Sequence, residues 1–307
     1  MKESVAVVSL SRHKGNLSLG VTSLSDTDAE SLSRHKGGLH FEGLLELTDV
    51  AAEALSKSVG GLGFGDLEEF TDAAAELMSE HKGTLKFSQL SSLSNTAAES
   101  LSKHKGTLKF NGLTSLSDAA AESLSKHEEA LSLCLSEYSD TVFDYLSRYQ
   151  GCLMLSGIES LSDAAAKSLL RHKGTLYLQM DELSDAAAEG LSKHEGELGL
   201  EVYEISDASL EWMSKHEGKI SGYDPSDCQD LDDWRATCVD AVEWVKSMRE
   251  DEEDYEDYEE DEEEFTETID EDAAKAFIKN PDAIDFRKAA SITSEAAVIL
   301  TKHEGDL

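Results

Sequence analysis

Histidine is the residue whose spacing in this chain most invites a chemical interpretation. Imidazole is the commonest metal ligand and a general base near neutral pH. A metal ion needs several ligands within about 2 Å, however, and one histidine per repeat does not converge on one ion. We therefore expect no metal site, and we interpret the histidines as caps for exposed carbonyl groups in the last turns of helices. Nine of the ten occupy one position of a 22- or 23-residue repeat: His13, His35, His81, His104, His127, His172, His194, His216 and His303.

Serine and cysteine give no catalytic pattern. Serine is frequent because the repeat multiplies it, and the sequence contains no nucleophile elbow, P-loop or glycine-rich dinucleotide fingerprint. Cys134, Cys152, Cys228 and Cys238 lack metal-ligand spacing, so we expect free thiols. The sequence therefore predicts a chain that is not an enzyme and carries no cofactor.

The repeat itself is clearest at Leu93–Ser115, LSNTAAESLSKHKGTLKFNGLTS. With Leu93 as position 1, positions 2 and 3 are mostly Ser or Thr followed by Asp, which favours the start of a helix. Apolar residues at positions 6 and 9 form its buried face, and an acid at 7 with a base at 11 forms an exposed pair. A basic turn and a glycine such as Gly106 indicate its end. The unit begins at Leu24, Leu47, Phe70, Leu93, Leu116, Tyr138, Leu161, Leu183, Ile205, Ile269 and Ile292.

A short strand is predicted after each helix. Positions 16 and 18 are apolar, as in Leu108 and Phe110, and position 17 faces the other way. In the 22-residue copies we expect the missing residue in the turn after the strand. One such unit buries too few apolar side chains to fold alone, so the copies must stack, with parallel strands on one side and helices on the other.

The pattern LxFxGLxxLSDAAAESLSKHKG resembles bacterial leucine-rich-repeat arrays with an LSDxAAESLSKHKG core. The resemblance covers about residues 2–224 and 269–307, and an apolar residue replaces the Asn that bonds neighbouring turns in the common leucine-rich repeat. It implies an α/β solenoid shaped as a horseshoe, with short parallel strands on the concave face and helices on the convex face. It also implies binding rather than a reaction.

Four segments are predicted along the chain. Residues 2–224 form the repeat solenoid, and residues 225–249 form an inserted amphipathic helix that packs on the array as a lid or binds a partner. Residues 250–268 form an acidic disordered insertion. Residues 269–307 are the final repeats, and without divergent capping repeats we expect the array to be a truncated piece of a longer one. The apolar face of the helix comprises Leu231, Trp234, Cys238, Ala241, Val245 and Met248.

Charge limits the partners of this chain. The formal net charge is −37, and thirteen of the fifteen residues 250–264 are acidic. Repulsion disfavours nucleic acid and anionic membranes, whereas basic proteins or cations suit the acidic run. No segment approaches the roughly 18 apolar residues of a membrane span, and the N-terminus lacks a signal-peptide core. We expect a cytoplasmic location by default, or an extracellular one if a signal lies upstream.

The outward position 17 varies while the helix faces stay nearly constant. It reads Ser18, His40, Gly63, Lys86, Lys109, Ser132, Met154, Tyr177 and Gly199, and we call these residues the position-17 row. Solenoids commonly bind partners on this face, so the sequence predicts a protein-interaction module or scaffold. The candidate contacts are His40, Lys86, Lys109, Met154 and Tyr177. The alternatives are unconstrained exposed positions, a structural or surface spacer array, and an acidic binder acting through residues 250–264.

Overall fold

Each helix begins after a Ser or Thr hydroxyl that bonds the chain's own backbone. The computed structural model describes residues 15–221, 239–241, 244, 248, 267–269 and 289–292. Ser94 Oγ accepts a hydrogen bond from the backbone N–H of Ala97 at 2.9 Å, and the equivalent bond precedes the other helices of residues 15–221. The predicted N-terminal caps are confirmed. The helices are α1 (Asp26–Leu32), α2 (Asp49–Leu55), α3 (Asp72–Met78), α4 (Asn95–Leu101), α5 (Asp118–Leu124), α6 (Asp140–Leu146), α7 (Asp163–Leu169), α8 (Asp185–Leu191) and α9 (Asp207–Met213).

The ends of these helices differ from the prediction. In α4 the last residue is Leu101, and Ser102 follows in a right-handed conformation with its N–H bonded to the carbonyl of Ala98. Gly106 lies beyond the helix and is not a left-handed cap. A Cβ atom there would stand 2.3 Å from the carbonyl oxygen of Gly83 in the preceding repeat. The glycine is therefore required by the close approach of successive repeats, not by helix termination.

Exposed acid–base pairs lie along the helices, as the spacing of positions 7 and 11 predicts. The Nζ of Lys57, for example, lies 2.9 Å from Oε1 of Glu53. Because both partners are exposed, each pair contributes only a few tenths of a kcal/mol. The pairs formed are Glu53–Lys57, Glu99–Lys103, Glu122–Lys126, Asp144–Arg148, Glu189–Lys193 and Glu211–Lys215.

The ten strands of residues 15–221 lie in one sheet and run parallel in chain order. Equal positions of successive repeats lie opposite one another, as Leu85 does with Leu108 and Lys86 with Lys109. The predicted array of strand–helix units on a parallel sheet is thus confirmed. The strands are β1 (Leu17–Leu19), β2 (Leu39–Phe41), β3 (Leu62–Phe64), β4 (Leu85–Phe87), β5 (Leu108–Phe110), β6 (Leu131–Cys134), β7 (Leu153–Ser160), β8 (Leu176–Leu183), β9 (Leu198–Ile205) and β10 (Lys219–Ser221).

One hydrophobic core runs through the array. Strand positions 16 and 18, such as Leu108 and Phe110, are fully buried together with helix positions 5, 6 and 9, such as Leu101. Phenylalanine rings at position 18 stack from strand to strand between Phe41 and Phe110, with centroids 5.4 to 5.7 Å apart. Each repeat therefore buries its neighbour's apolar edge, which explains why copies must stack to fold.

Strands β7 to β9 are longer than the earlier strands. In the 22-residue units that begin at Leu161 and Leu183, β8 and β9 run without a turn into position 1 of the next unit. The sequence predicts a shorter turn in the 22-residue copies; in these two the strand replaces the turn, whereas in the copy that begins at Leu116 strand β6 ends at Cys134 and irregular chain follows. The unit that begins at Tyr138 has 23 residues, and β7 absorbs its extra residue in a bulge between Leu155 and Ile158, where Gly157 has a φ of +70°.

Side-chain hydrogen bonds join successive helix starts. Ser117 Oγ donates to Oδ1 of Asn95 at 2.6 Å while it accepts from the N–H of Ala120. We call these contacts the N-cap hydroxyl bonds; in each, the hydroxyl at position 2 of one repeat donates to a side-chain oxygen at position 3 of the preceding repeat. They also join Thr48 to Asp26, Thr71 to Asp49, Ser94 to Asp72, Ser139 to Asp118, Ser162 to Asp140 and Ser206 to Asp185.

Beyond residue 221 the structure describes short pieces. Strand β11 (Val239–Asp240) pairs antiparallel with β10, so a strand stands at these two residues of the segment predicted as a helix. Ala241 and Trp244 are helical and buried in the core of the array. The rest of the predicted insertion lies outside the described residues.

The chain divides into two units, residues 1–252 and 253–307. In the second unit, β12 (Glu267–Ile269) and β13 (Ala289–Ile292) pair in parallel, with Ile269 opposite Ile292. These two isoleucines open the predicted final repeats. The predicted disorder of residues 250–268 lies outside the described residues except at Glu267 and Thr268, which belong to β12.

Candidate functional site

The position-17 row crosses the sheet at equal register, one residue per strand. Lys86 of β4 and Lys109 of β5 are direct partners, and so are Met154 of β7 and Tyr177 of β8. Gly63 separates His40 from Lys86, and Ser132 separates Lys109 from Met154. The structure therefore brings the five candidates together as two adjacent pairs and one separate histidine.

The two pairs differ in exposure. Lys86 and Lys109 are half-buried, whereas Met154 is 7% exposed and Tyr177 is 1% exposed. Met154, Tyr177 and Cys152 form a hydrophobic cluster separate from the main core. A partner approaching the row can therefore touch the lysines directly, whereas the Met154 and Tyr177 side chains are enclosed within the protein.

Tyr177 is also held by hydrogen bonds at the end of its side chain. Its hydroxyl donates to Oε2 of Glu201 at 2.5 Å, and Gln179 Nε2 donates to Oε1 of the same carboxylate at 2.9 Å. Just before strands β8 and β9, Thr175 Oγ1 donates to Oε2 of Glu197 at 2.8 Å. Hydrogen bonds therefore hold the Tyr177 side chain in place at this end of the row. Its position in the repeat did not predict that constraint.

His40 lies against a strand without side chains on its outward face. Gly61, Gly63 and Gly65 occupy positions 15, 17 and 19 around β3. A Cβ atom on Gly63 would stand 2.5 Å from Nδ1 of His40, so the imidazole rests close to the β3 backbone. Because of these glycines, only backbone atoms cover the sheet between His40 and Lys86. Their alternate spacing is a signal in the sequence that the prediction did not use.

The repeated histidines lie in the interior of the array. We call the residues at position 12 the position-12 column, which within the described chain contains seven histidines, with Ser58 and Tyr149 in the remaining copies. Its histidines are 0 to 5% exposed, and neighbouring rings stack nearly parallel, with centroids 6.1 Å apart for His81 and His104. The column continues through His127, Tyr149, His172 and His194 at 6.1 to 6.4 Å.

The predicted capping role of these histidines needs correction. His104 follows the end of α4 by three residues, and its Nε2 bonds to the carbonyl oxygen of Gly83 at 2.9 Å. His81 Nδ1 contacts the carbonyl of Ser56, which follows α2, at 3.4 Å. The rings of His35, His81, His104 and His216 bind carbonyl groups of the preceding repeat, whereas His172 binds the carbonyl of Thr175 in its own repeat. Most of these bonds therefore join repeats instead of closing the histidine's own helix.

Burial controls the protonation of the column. Loss of hydration lowers the pKa of His81, His104, His127, His172 and His216, and it lowers the pKa of His194 to about 4. Loss of hydration likewise raises the pKa of the Tyr149 hydroxyl. At neutral pH the imidazoles of these six histidines are therefore uncharged.

The same geometry is unsuited to metal binding. Stacked parallel rings keep equivalent nitrogens about as far apart as their centroids, beyond the roughly 4 Å that two nitrogen ligands of one zinc ion can span. Within the part of the chain that the structure describes, no group of three His, Cys, Asp or Glu residues could hold a metal ion. Cys134 is a free cysteine there, and Cys152 is buried.

Comparison with known proteins adds no relative. No protein-family model matches the chain, and no curated protein matches it. Among the described residues, no helix has both the length and the apolar character needed to cross a membrane.

Proposed function

We propose that the chain is a non-enzymatic interaction module that binds a protein partner through the position-17 row. The array is a leucine-rich-repeat-like solenoid in this proposal, and the row lies on its concave face. The regular strand–helix units and the parallel in-register sheet support the proposal, because such arrays present one strand residue per repeat to a partner. The net charge of −37 favours a protein over a nucleic acid.

The observation that carries the proposal is the direct pairing of Lys86 with Lys109. Adjacent parallel strands lie about 4.8 Å apart, so the two side chains start from neighbouring backbone positions. Two adjacent ammonium groups attract a carboxylate of a partner, and both lysine side chains are half-buried on the sheet.

Met154 and Tyr177 have a supporting part in this proposal. Because both are buried, they shape the sheet beside the lysines instead of making the first contact. His40 supplies a second polar contact across the glycine strand. The expected partner therefore presents acidic side chains toward β4 and β5 and a flat surface toward β3.

The test replaces both lysines by serine, Lys86→Ser with Lys109→Ser. The matched control is Lys103→Ser with Lys126→Ser, which removes the same charge from two adjacent repeats on the exposed helix side. Partners captured by the parent protein are identified and purified, and their dissociation constants are measured for all three proteins. We expect the sheet variant to bind at least about tenfold more weakly, with a reduced salt dependence, and the control to bind as the parent does.

Circular dichroism and urea unfolding verify that both variants keep the fold. Equal affinities for the parent and the sheet variant would contradict the proposal. So would a loss of affinity confined to the helix-side variant.

A spacer array is the second candidate function. The N-cap hydroxyl bonds and the stacked position-12 rings favour it, because each links one repeat to the next whether or not a partner is bound. A spacer would keep every function when both lysine pairs are replaced. Binding of basic proteins or cations by residues 250–264 stays a prediction, since those residues lie outside the described chain.

A further inference from the structure

The position-12 column places a row of titratable rings where water does not reach. His81, His104 and His127 are at most 2% exposed, and their rings lie 6.1 and 6.3 Å apart. Each ring stacks on the ring of the next repeat, so a change in one ring acts directly on two repeats. This feature is independent of the position-17 row and of any partner bound there.

Hydrogen bonding in the column favours neutral imidazole. A carbonyl oxygen accepts from an N–H, so the proton resides on Nε2 in His104 and on Nδ1 in His81 and His216. The other nitrogen of each of these rings is buried and outside hydrogen-bond geometry, although a second carbonyl lies near His81, that of Gly60, and near His104, that of Ser79. A second proton would place a charge in a site closed to water with one N–H poorly bonded, which is costly.

Two histidines of the column have no hydrogen bond at either ring nitrogen. The rings of His127 and His194 approach backbone carbonyls without reaching hydrogen-bond geometry at either nitrogen. His194 lies between His172 and His216, whose charges would repel a proton placed on it. Protonation of any one ring therefore makes protonation of its folded neighbours harder, while separation of the repeats removes the obstacle for all of them.

Charged groups near the column do not offset its burial. The carboxylate of Glu129 favours protonation of His104 and His127, and that of Glu217 favours protonation of His216. Lys173 opposes protonation of His194. Glu128 and Glu195 also lie near the column, beside His127 and His194, but both are fully exposed and pair with lysines of the preceding repeat. Loss of hydration outweighs these influences in each ring.

We propose that the position-12 column is a pH-dependent lock on the array, which holds the repeats together while its imidazoles are neutral and releases them when mild acid protonates the rings. Release is cooperative, because one separated pair of repeats hydrates two rings at once. A repeat array unfolds by separating neighbouring units, and the column stabilises the contacts between those units.

The direction of the pH effect follows from proton binding. An open chain has histidine pKa values near 6.5, whereas burial lowers the pKa in the folded array, to about 4 for His194. Above pH 6.5 both states are neutral and stability is fully present. As the pH falls from 6.5 toward the folded values, only the open state binds protons, and each histidine raises the opening equilibrium constant up to about tenfold per pH unit.

Exposed carboxylates act in a lower pH range. Hydrogen bonds from basic partners or hydroxyl groups lower the pKa of Asp144, Asp185 and Glu189. Their stabilising effect is present above their unfolded values of about 4 and is lost only as the pH falls below that range. Loss of stability between pH 6.5 and 5 is therefore specific to the histidines.

Tyr149 shows which substitution the column accepts. Its ring stacks between His127 and His172 at 6.4 and 6.1 Å and does not titrate in this pH range. The test variant is therefore His104→Tyr with His172→Tyr. The matched control is His40→Tyr, which removes a half-buried imidazole outside the column.

Urea unfolding of the full chain is measured at pH 7.5, 6.0 and 5.0, and the proton uptake on unfolding is measured by calorimetry in two buffers. We expect the opening constant of the parent to rise steeply between pH 6.5 and 5. On unfolding, the column variant should bind as many as two fewer protons than the parent. Its opening equilibrium constant should therefore rise less steeply, by a factor of up to about 100 for each pH unit. The His40 variant should follow the parent.

A direct measurement on the parent guards against a variant that does not fold. The histidine ring resonances are titrated by NMR in the native protein. The imidazoles of the six column histidines from His81 to His216 should stay neutral until the array opens. Native-state titration of these rings near pH 6.5 would overturn the proposal. Unchanged proton uptake in a folded column variant would overturn it as well.

Discussion

The early repeats (residues 24–115) and the late repeats (residues 138–204) share their helices but differ in their strands. Both have seven-residue helices with Ser or Thr caps. The early strands β2 to β5 have three residues each, whereas the late strands β7 to β9 have eight. Position 18 changes from Phe to Leu, and position 17 changes from half-buried lysine to buried Met154 and Tyr177.

This difference shows which side of the repeat is adjustable. The helix is fixed by local rules, namely its cap, its alanines and its neighbour's N-cap hydroxyl bond, and these recur in both regions. The strand side varies more, because the turn becomes paired strand in β8 and β9, whereas the 22-residue unit that begins at Leu116 keeps the four-residue β6. New surfaces can therefore arise on the sheet while the helices stay constant.

The largest expected effect is one that both regions share. Leu108→Asp in the early repeats and Leu176→Asp in the late repeats each place a charge in a fully buried position 16. We expect each to lower the free energy of unfolding by about 4 kcal/mol or more, or to abolish folding. Urea unfolding followed by circular dichroism measures the loss.

Ser132→Asp is the control, since this half-buried residue belongs to the position-17 row. A stable Leu108→Asp protein would refute the assigned core face. A much milder effect at Leu176 than at Leu108 would show that the two regions do not share one core.

A smaller effect should separate the two regions along the position-17 row. Tyr177→Ser removes a buried ring and its hydrogen bond to Glu201, and we expect a loss of about 2–4 kcal/mol in the free energy of unfolding. Lys86→Ser in the early repeats should change it by less than about 0.5 kcal/mol, because that side chain is only half-buried. Equal effects of the two changes in urea unfolding would remove the distinction between buried and accessible parts of the row.

The smallest expected effect concerns the bulge that adapts a 23-residue unit to the longer strands. Gly157→Ala places a side chain at a φ of +70°, with its Cβ 2.6 Å from Cys134 Sγ, and we expect a loss of about 1–2 kcal/mol. Gly20→Ala is the matched control, because a Cβ there meets no atom within 4 Å. Thermal unfolding of the two variants should therefore differ, and identical midpoints would argue against a strained bulge.

The sequence predicts the features that are written within one repeat. The Ser94 cap, the apolar positions of α4 and the alternation around Lys109 follow from local spacing, and parallel stacking follows from the inability of one unit to fold alone. The features that were missed depend on distances between repeats. Gly106 is required by the carbonyl of Gly83, and His104 is buried because the next ring covers it.

The candidate site shows the same division between local and distant causes. Position 17 was correctly placed on the strands, and the Lys86–Lys109 register follows from equal repeat lengths. The burial of Tyr177 could not be predicted from its position, because it depends on Met154, Cys152 and Glu201 from neighbouring strands. Lengthening of β8 likewise depends on a partner strand of matching length.

The N-cap hydroxyl bonds have a consequence for how such a gene can change in length. At most of the described helix starts a hydroxyl donates to the preceding repeat, and the side-chain oxygen beside it accepts from the following one, as in Ser117 and Asp118. Such a copy carries both the donor and the acceptor of the contact between repeats. Duplication or loss of a whole unit by unequal recombination leaves a hydroxyl donor and an oxygen acceptor at the new boundary. The array can therefore be lengthened or shortened without the evolution of a new interface.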